Sequence, residues 1–319
     1  MPRNPNSVGY NANPLLPLAS TQVSLTADEL KEYIACSQDP VYFIQNYVKI
    51  VHVDRGIIKF KLYSFQEEII RAFENNRFVI CKLARQSGKS TVVVCGYFLW
   101  YILFHTDISV GLLANKEATA IELLRRLKQS FELLPPFLKQ GVMKWDQKLI
   151  MLANNSRVRA ESTSASAVRG DTFNILFLDE FAFVPDNIAI EFMTSVYPTI
   201  TSGKTTKLFI VSTPAGYNLF YKTWNDSEEG RNTYKRMGYT WRDVPGREAV
   251  DKDGINIWEK ETRQNIGDMQ FEQEFESVVG STLVTVRDKQ NGTITTLPIV
   301  KLYATLYDEQ LGDIQLPGY

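Results

Sequence analysis

The apolar positions of this chain fall into short runs separated by polar or small-residue stretches, and the runs alternate between strand and helix character. Phe78–Cys81 (FVIC), Ser109–Ala114 (SVGLLA), Ile175–Leu178 (ILFL) and Lys207–Ser212 (KLFIVS) are short and dense in Val, Ile, Leu and Phe. Such runs predict strands buried on both faces, the habit of parallel sheets. Longer helical segments stand between them: Glu67–Asn75, Val92–Phe104, Glu117–Leu133 and one beginning over Asn218–Asn225. Leu134-Pro135-Pro136 ends the third, because proline cannot continue a helix. Leu149–Ala153 and Ser156–Glu161 read as a strand pair turning at Asn154-Asn155. The expectation is an α/β domain over residues 60–276, with a mostly parallel sheet flanked by helices.

Flanking segments differ in pattern. Met1–Gln22 is polar and rich in Asn and Pro, and reads as a flexible arm. Ser24 or Thr26 would cap a helix running to about Cys36, with Asp28 and Glu29 favourably placed in its first turn. Asp39–Ile50 is aromatic-rich and amphipathic, so residues 23–59 read as a small lid-like subdomain packed on the core. Gln264–Glu276 is helical, amphipathic and acidic. Beyond it, residues 277–319 form a β-rich tail in which alternating apolar positions flank Asn291-Gly292, a strong hairpin signal.

Chemistry concentrates where two of the buried runs end. Phe78–Cys81 leads through a polar turn into Gly88-Lys89-Ser90-Thr91 and then the Val92–Phe104 helix. A strand, a loop and a helix N-terminus in this order make a phosphate cradle: backbone N–H groups and the helix dipole face the anion, and Lys89 reaches the β/γ oxygens. Ser90 would give a hydroxyl to Mg²⁺. The usual first glycine of such a loop is replaced by Leu83, and a bare GK[ST] tripeptide is common. A second motif strengthens it. Ile175–Glu180 (ILFLDE) ends a buried run in two carboxylates, at the sheet edge where open α/β folds bind ligands. Asp179 would hold Mg²⁺ through water, and Glu180 would orient and deprotonate the attacking water. Taken alone, the hexapeptide reads equally as a strand ending in a solvated acidic turn. The pair of motifs predicts an ATPase in which the two strands end side by side, bringing Lys89 and Asp179 around one triphosphate–metal unit.

Other positions carry weaker signals. Gln66, ahead of the loop, has the donors and acceptors to read an adenine edge, with Tyr63 beside it for stacking. Ser212 and Thr213 end a strand and would sense the γ-phosphate, unless the Ser-Thr-Pro run is only turn chemistry. Arg125, Arg126 and Lys128 read as a solvated helix face before a DNA contact. Arg169, in the small-residue loop Ser162–Asp171, would report on the γ-phosphate or a neighbouring subunit, against the plain reading of a loop arginine.

Composition removes several function classes. Lys plus Arg (35) nearly balances Asp plus Glu (36), for a net charge of −1. A protein that coats nucleic acid by itself carries a basic excess, so any DNA contact is local or shared among subunits. Cys36, Cys81 and Cys95 have no paired spacing, which argues against zinc and for a reducing compartment. The N-terminus lacks a signal-peptide pattern, and Val92–Phe104 falls short of the roughly 20 residues a bilayer requires. No membrane association is expected.

Together ARQSGKST, SASAVRGDTF, ILFLDEFAFVP and IVSTPAGYNLFYKTW strongly resemble the ATPase half of the tailed-bacteriophage terminase large subunit, the DNA-packaging motor. DPVYFIQNYVKI and LPPFLKQGV are also similar to that family, and the resemblance spans about Asp39–Glu276. Terminase loops share the departure at Leu83. The resemblance implies a P-loop NTPase of the additional-strand, helicase-like kind, binding ATP and Mg²⁺. Arg85, Gln86, Ser87, Gly88, Lys89, Ser90 and Thr91 match the nucleotide-binding loop, with Arg85 stabilising transition-state charge. Asp179 and Ser90 match the metal site, Glu180 the catalytic base, and Ser212 and Thr213 the coupling motif. Tyr63 and Gln66 match the adenine-reading motif. Implied partners are double-stranded DNA, a portal protein, a small terminase subunit and further copies in a homo-oligomeric ring. The implied location is the host cytoplasm, transiently at the capsid portal vertex. A related helicase or translocase is the alternative within enzymes, and an inactive precursor awaiting a partner chain is the alternative outside them.

In a complete large subunit an RNase H-like nuclease domain follows the FE-containing helix. The residues after Glu276 are too few for one, so no endonuclease activity is expected from this chain alone. SVVGSTLVTV followed by RDKQNGTITTLPIVKLYATL instead resembles the opening block of an intein, with Ser277 attacking the preceding carbonyl in an N-to-O acyl shift. His52 and His105 both lie upstream, so this tail would be the N-fragment of a split intein. A second chain would then carry the C-fragment and the nuclease half. The plainer alternative is a family linker into a truncated nuclease.

Overall fold

A computed structural model describes residues 9–21, 23–52, 54–164, 172–276, 283–288, 293–298 and 314–315. Its strands are β1 (Lys49–His52), β2 (Gly56–Lys59), β3 (Phe78–Leu83), β4 (Ser109–Ala114), β5 (Val142–Trp145), β6 (Leu149–Leu152), β7 (Arg157–Ser162), β8 (Ile175–Asp179), β9 (Lys207–Ser212) and β10 (Lys235–Tyr239). The central sheet runs β10-β3-β9-β8-β4-β7-β6-β5. The first six strands of that order are mutually parallel, and β6 and β5 close one edge antiparallel. This is the mostly parallel α/β sheet that the apolar runs predicted.

Alternation within each strand explains the layers. In β3, Val79, Cys81 and Leu83 join one buried cluster, while Ile80 joins a second. In β8, Ile175 and Phe177 face the first, Leu176 and Leu178 the second; in β9, Phe209 and Val211 oppose Leu208 and Ile210. Successive side chains point to opposite faces, so the sheet is buried on both sides. The first cluster is covered by α1 (Ala27–Gln38), α2 (Pro40–Tyr47), α3 (Ser64–Asn75), the helix opened by α4 (Lys89–Thr91) and closed by α5 (Leu99–Phe104), and α6 (Glu117–Glu132). The second is covered by α7 (Asp186–Ser202) and α8 (Leu219–Glu228). Phe73 on α3 stacks on Phe209 with centroids 3.9 Å apart, fastening helix to sheet.

Three local outcomes refine the expectations. Thr26, not Ser24, caps α1: its hydroxyl accepts from the Glu29 N–H, and the Glu29 carboxylate accepts from the Thr26 N–H at 2.9 Å. Within the expected lid-like segment, Phe43, Ile44 and Val48 are fully buried in the first cluster, so α2 packs on the core. The described stretch of the expected arm, 9–21, is seated on the body, with Leu16 buried and the Pro17 carbonyl accepting from the Val142 N–H at 2.8 Å. Apolar Leu16 and Leu18 supply what a purely polar arm would lack.

Beyond the sheet, α9 (Ile257–Ile266) and α10 (Asp268–Phe271) break the expected helix over Gln264–Glu276 at Gly267, whose φ is +82°. The helix resumes through Glu272–Glu276 as a wider π-turn. In the tail, β11 (Leu283–Asp288) pairs antiparallel with β12 (Ile294–Pro298) and also with β13 (Ile314–Gln315); the expected turn at Asn291-Gly292 lies outside the described residues. Among the described residues no helix is long and apolar enough to cross a membrane.

Candidate active site

Strand order places the chemistry. β3 and β8 do not lie side by side as expected; β9 is inserted between them. This extra strand has a consequence: its C-terminal residues Ser212 and Thr213 reach the edge between the phosphate loop and the paired acids. Lys89 crosses the gap because it stands on the helix after β3, and its Nζ lies 2.8 Å from Glu180 Oε1.

The loop is braced from below. Gln66 is buried on α3, donates Nε2–H to the Ser87 carbonyl at 3.0 Å, and accepts from the Tyr63 N–H at 3.1 Å. Gln86 and Gly88 have φ of +60° and +73°. A Cβ on Gly88 would stand 2.8 Å from Gln66 Nε2, so glycine is required both by conformation and by space. Gly88→Ala is therefore expected to lower the melting temperature by about 2–3 °C, from roughly 1–2 kcal/mol of left-handed strain. An unchanged melting curve would show that Gln66 yields to the methyl at no cost.

The acids are positioned by opposite devices. Asp179 follows Ile175 and Phe177 on the sheet face that carries the loop helix, is 3% exposed, and accepts from Ser90 Oγ at 2.8 Å. Burial first, then the neighbouring Glu180 charge, pushes its pKa up to about 6, although the Ser90 hydroxyl, Lys89 and Arg126 pull the other way. Glu180 turns back in the left-handed region at φ +51°, ψ +42°, a strain of about 1–3 kcal/mol. Its Oε2 collects the Thr213 hydroxyl at 3.1 Å, the Thr213 N–H at 3.3 Å and the Ser212 hydroxyl at 3.4 Å. The Ala182 N–H donates to Ser212 Oγ at 3.1 Å, which ties the turn after Glu180 to β9.

Ser90 and Asp179 suit a hard divalent cation such as Mg²⁺, being oxygen donors already in contact, with a buried carboxylate whose charge is poorly compensated. Lys89, Ser90, Asp179, Glu180, Ser212 and Thr213 thus converge, with Gln66, Ser87 and Gly88 beneath them. Arg85 points elsewhere: its Nη1 pairs with Glu274 at 2.9 Å, and its N–H donates to the Glu274 carbonyl. Tyr63 is partly exposed at the start of α3. Thr91 stands in the first turn after the loop. Arg169 and Ser277 lie outside the described residues. Reasoning from sequence missed the Gln66 brace and the Glu274 partner. The acidic character of Gln264–Glu276 was the available signal for the latter.

Residues 80–293 match the family model described as terminase large subunit, T4-like virus type, N-terminal. The fold is similar to the ATPase domain of the Thermus phage P74-26 large terminase, with TM-score 0.53 and 20% identity, over 68% of this chain and 94% of that one. It is similar to the HK97 bacteriophage large terminase, with TM-score 0.59 and 15% identity, over 86% and 71% of the two chains. A large terminase from a thermophilic bacteriophage in complex with ATP-gamma-S aligns with TM-score 0.52 and 15% identity, over 71% of this chain and 54% of that one. A mostly parallel central sheet flanked by helices is what the chain shares with these structures, and the family match covers more than half of the 319 residues. The chain belongs to the terminase large subunit family, T4-like virus type, N-terminal part.

Proposed function

We propose that this chain is the ATP-hydrolysing part of a viral DNA-packaging motor. The observation that carries the reading is the contact set at the sheet edge: Lys89 on Glu180, Ser90 on Asp179, and Thr213 on Glu180. Lys89 leaves Glu180 for the β/γ phosphates when ATP enters, and the loop N–H groups receive the remaining oxygens. Glu180, released from the ammonium but still held by Thr213 and Ser212, accepts a proton from the attacking water. Ser90 and Asp179 would hold Mg²⁺, which when bound supplies charge neutralisation at the phosphates. Loss of the γ-phosphate changes what faces Ser212 and Thr213, so β9 is the element that feels hydrolysis. Arg85 would exchange Glu274 for the transition state, and Tyr63 would face the adenine; Gln66, expected to read the adenine edge, is instead buried with both ends of its amide engaged by the loop and by Tyr63.

Double-stranded DNA is the proposed substrate track, moved into a capsid by a homo-oligomeric ring seated on a portal protein and served by a small terminase subunit. A ring sums many weak phosphate contacts, which reconciles DNA movement with a net charge of −1. The test is Lys89→Ala. ATP affinity should fall at least about tenfold, since the ammonium is the loop's one buried cation and its loss also strands Glu180. ATP-dependent DNA uptake into portal-bearing capsids should vanish with it. Full uptake by Lys89→Ala would refute the motor reading.

A second reading concerns the tail, and the antiparallel pairing of β11 with β12 favours it. Here the residues after Glu276 are a split-intein N-fragment: Ser277 Oγ attacks the Glu276 carbonyl, the peptide C–N bond breaks, and the freed Ser277 amine takes the proton. The family match running to residue 293 favours the plainer linker instead. Co-expression with a chain bearing a complementary C-fragment and a nuclease half should yield a ligated product without residues 277–319. Absence of that product, with both chains folded, would leave the linker reading.

A further inference from the structure

The β1–β2 hairpin presents to solvent a face that its own chain leaves uncompensated. In its register Lys49 stands opposite Lys59, and Val51 opposite Ile57. Opposed residues and next-but-one residues share a face, so these four side chains lie on one side of the hairpin. The other side is the anchored one. Ile50 packs against the first cluster, and Val48 and Phe60 are buried at the hairpin's base, where the Phe60 N–H donates to the Val48 carbonyl at 2.9 Å. Ser130 Oγ on α6 donates to the Lys49 carbonyl at 3.1 Å. On the outer side, Val51 and Ile57 are 52% and 56% exposed. Like charges set directly opposite each other destabilise a strand pair, and apolar surface left in water contributes no burial. A polyanion with apolar groups between its rows of charge would offset both.

The basic character extends beyond the two lysines. From Lys49 to Lys61 the sequence holds four cations, Lys49, Arg55, Lys59 and Lys61, against Asp54 alone, in a chain whose net charge is −1. None of the four forms an ion pair among the described residues, and Asp54 stands 3.8 Å from His52. The cations on α6 are already engaged: Arg125 and Arg126 pair with Glu122 at 2.7 and 3.1 Å, and Lys128 reaches the Asp146 carbonyl and the Trp145 ring. Spacing favours a duplex over an acidic protein surface. Arg55, at the turn, is separated from Lys59 by about 14 Å of strand, and the major groove is about 12 Å wide and admits a two-stranded ribbon. Cations at the two ends of the hairpin can therefore meet the phosphate rows on either side of the groove, with Val51 and Ile57 over the thymine methyls between them.

We propose that the outer face of the β1–β2 hairpin is a binding surface for double-stranded DNA, with Lys49, Arg55, Lys59 and Lys61 on phosphates and Val51 and Ile57 at the groove between them. This inference rests on the DNA-packaging reading above and deepens it, since it gives a chain without a basic excess a local surface for its track. The hairpin is also close in sequence to the site. Phe60 at its base leads directly into α3, whose Gln66 braces the phosphate loop through Ser87.

Fluorescence anisotropy of a labelled random-sequence duplex, titrated with the full chain over roughly 50–200 mM salt, tests it. Lys49→Ala with Lys59→Ala should weaken the duplex at least about tenfold at 0.1 M salt and make the slope of log affinity against log salt shallower by about 2. Its melting temperature should not fall, because the substitution removes opposed like charges. Arg55→Ala, at the exposed turn, should by itself flatten the slope by about 1. Lys49→Arg with Lys59→Arg keeps both charges and should keep the parent's slope. The matched control is Lys144→Ala with Lys148→Ala, two cations already paired with Asp146 and Glu117, which should leave the slope unchanged. A parental slope in the first two variants, with the duplex still bound, would overturn the assignment and leave the face to an acidic protein. Equal flattening in the control would overturn it as well, reducing the effect to net charge. A parent that bound no duplex at the lowest salt would defeat the DNA reading, and this inference with it.

Discussion

Glu180→Gln is expected to cut ATP turnover on the order of 10³-fold and to tighten, not weaken, nucleotide binding. Both effects follow from the double engagement of one carboxylate. Its Oε1 holds the Lys89 ammonium at 2.8 Å, and its Oε2 is held by Thr213 and Ser212. The phosphates must draw Lys89 away from a partly exposed carboxylate 2.8 Å away, so neutralising that partner removes a competitor for the ammonium. The amide oxygen of glutamine still accepts from the Thr213 N–H and hydroxyl, so the turn at φ +51° retains its anchors. What it loses is the capacity to take a proton from water. Phosphate release and nucleotide titration on the same preparation check both halves. Normal turnover would place the base elsewhere. Weakened binding would mean that the Lys89–Glu180 pair serves to hold the ammonium in position for the phosphates.

How far the chain was legible depended on whether an element's signal is local. The strands β3, β4, β8 and β9 were readable because each is buried on both faces and so has a continuous apolar middle, Val79 and Ile80 pointing into different clusters with equal burial. Their order was not readable for the same reason. Nothing in KLFIVS distinguishes a strand beside ILFLD from one inserted between it and FVICKL, and the insertion is what brings Thr213 to Glu180. α7 carries apolar residues at helical spacing, Ala189, Phe192, Val196 and Ile200 all being buried. Pro198 sits inside it and argues against a helix locally, yet packing against the sheet overrides that preference. The hairpin of β1 and β2 was missed because Val51 and Ile57, paired across it, are both exposed and give no alternation of burial. Lys89, Ser90, Asp179 and Glu180 were legible as motifs. The partners of Arg85 and Gln66 were not, since Glu274 and Ser87 are brought to them only by tertiary folding.

Asp179→Asn is the counterpart, a substitution expected to stabilise the chain while it removes hydrolysis. The carboxyl is almost wholly buried, and its pKa rises from 3.8 to about 6 on folding. A carboxyl whose folded pKa lies above its unfolded value favours the native state while protonated. That advantage is full below pH 3.8, and it is lost as pH climbs through 6. At pH 8 the ionised parent therefore bears a penalty of roughly 3 kcal/mol that asparagine does not. The amide oxygen keeps the hydrogen bond from Ser90, so little else changes at the site. Without nucleotide or metal, thermal melts at pH 8 should place the variant about 4 °C above the parent, and the gap should close as pH falls from 6 toward 4. Addition of Mg²⁺ with ADP should raise the parent more than the variant, because the cation compensates the charge that asparagine lacks. A variant no more stable than the parent at pH 8 would mean that Lys89 and Arg126 already neutralise Asp179. The acid would then be a settled structural anion, and not one left under-compensated for a cation.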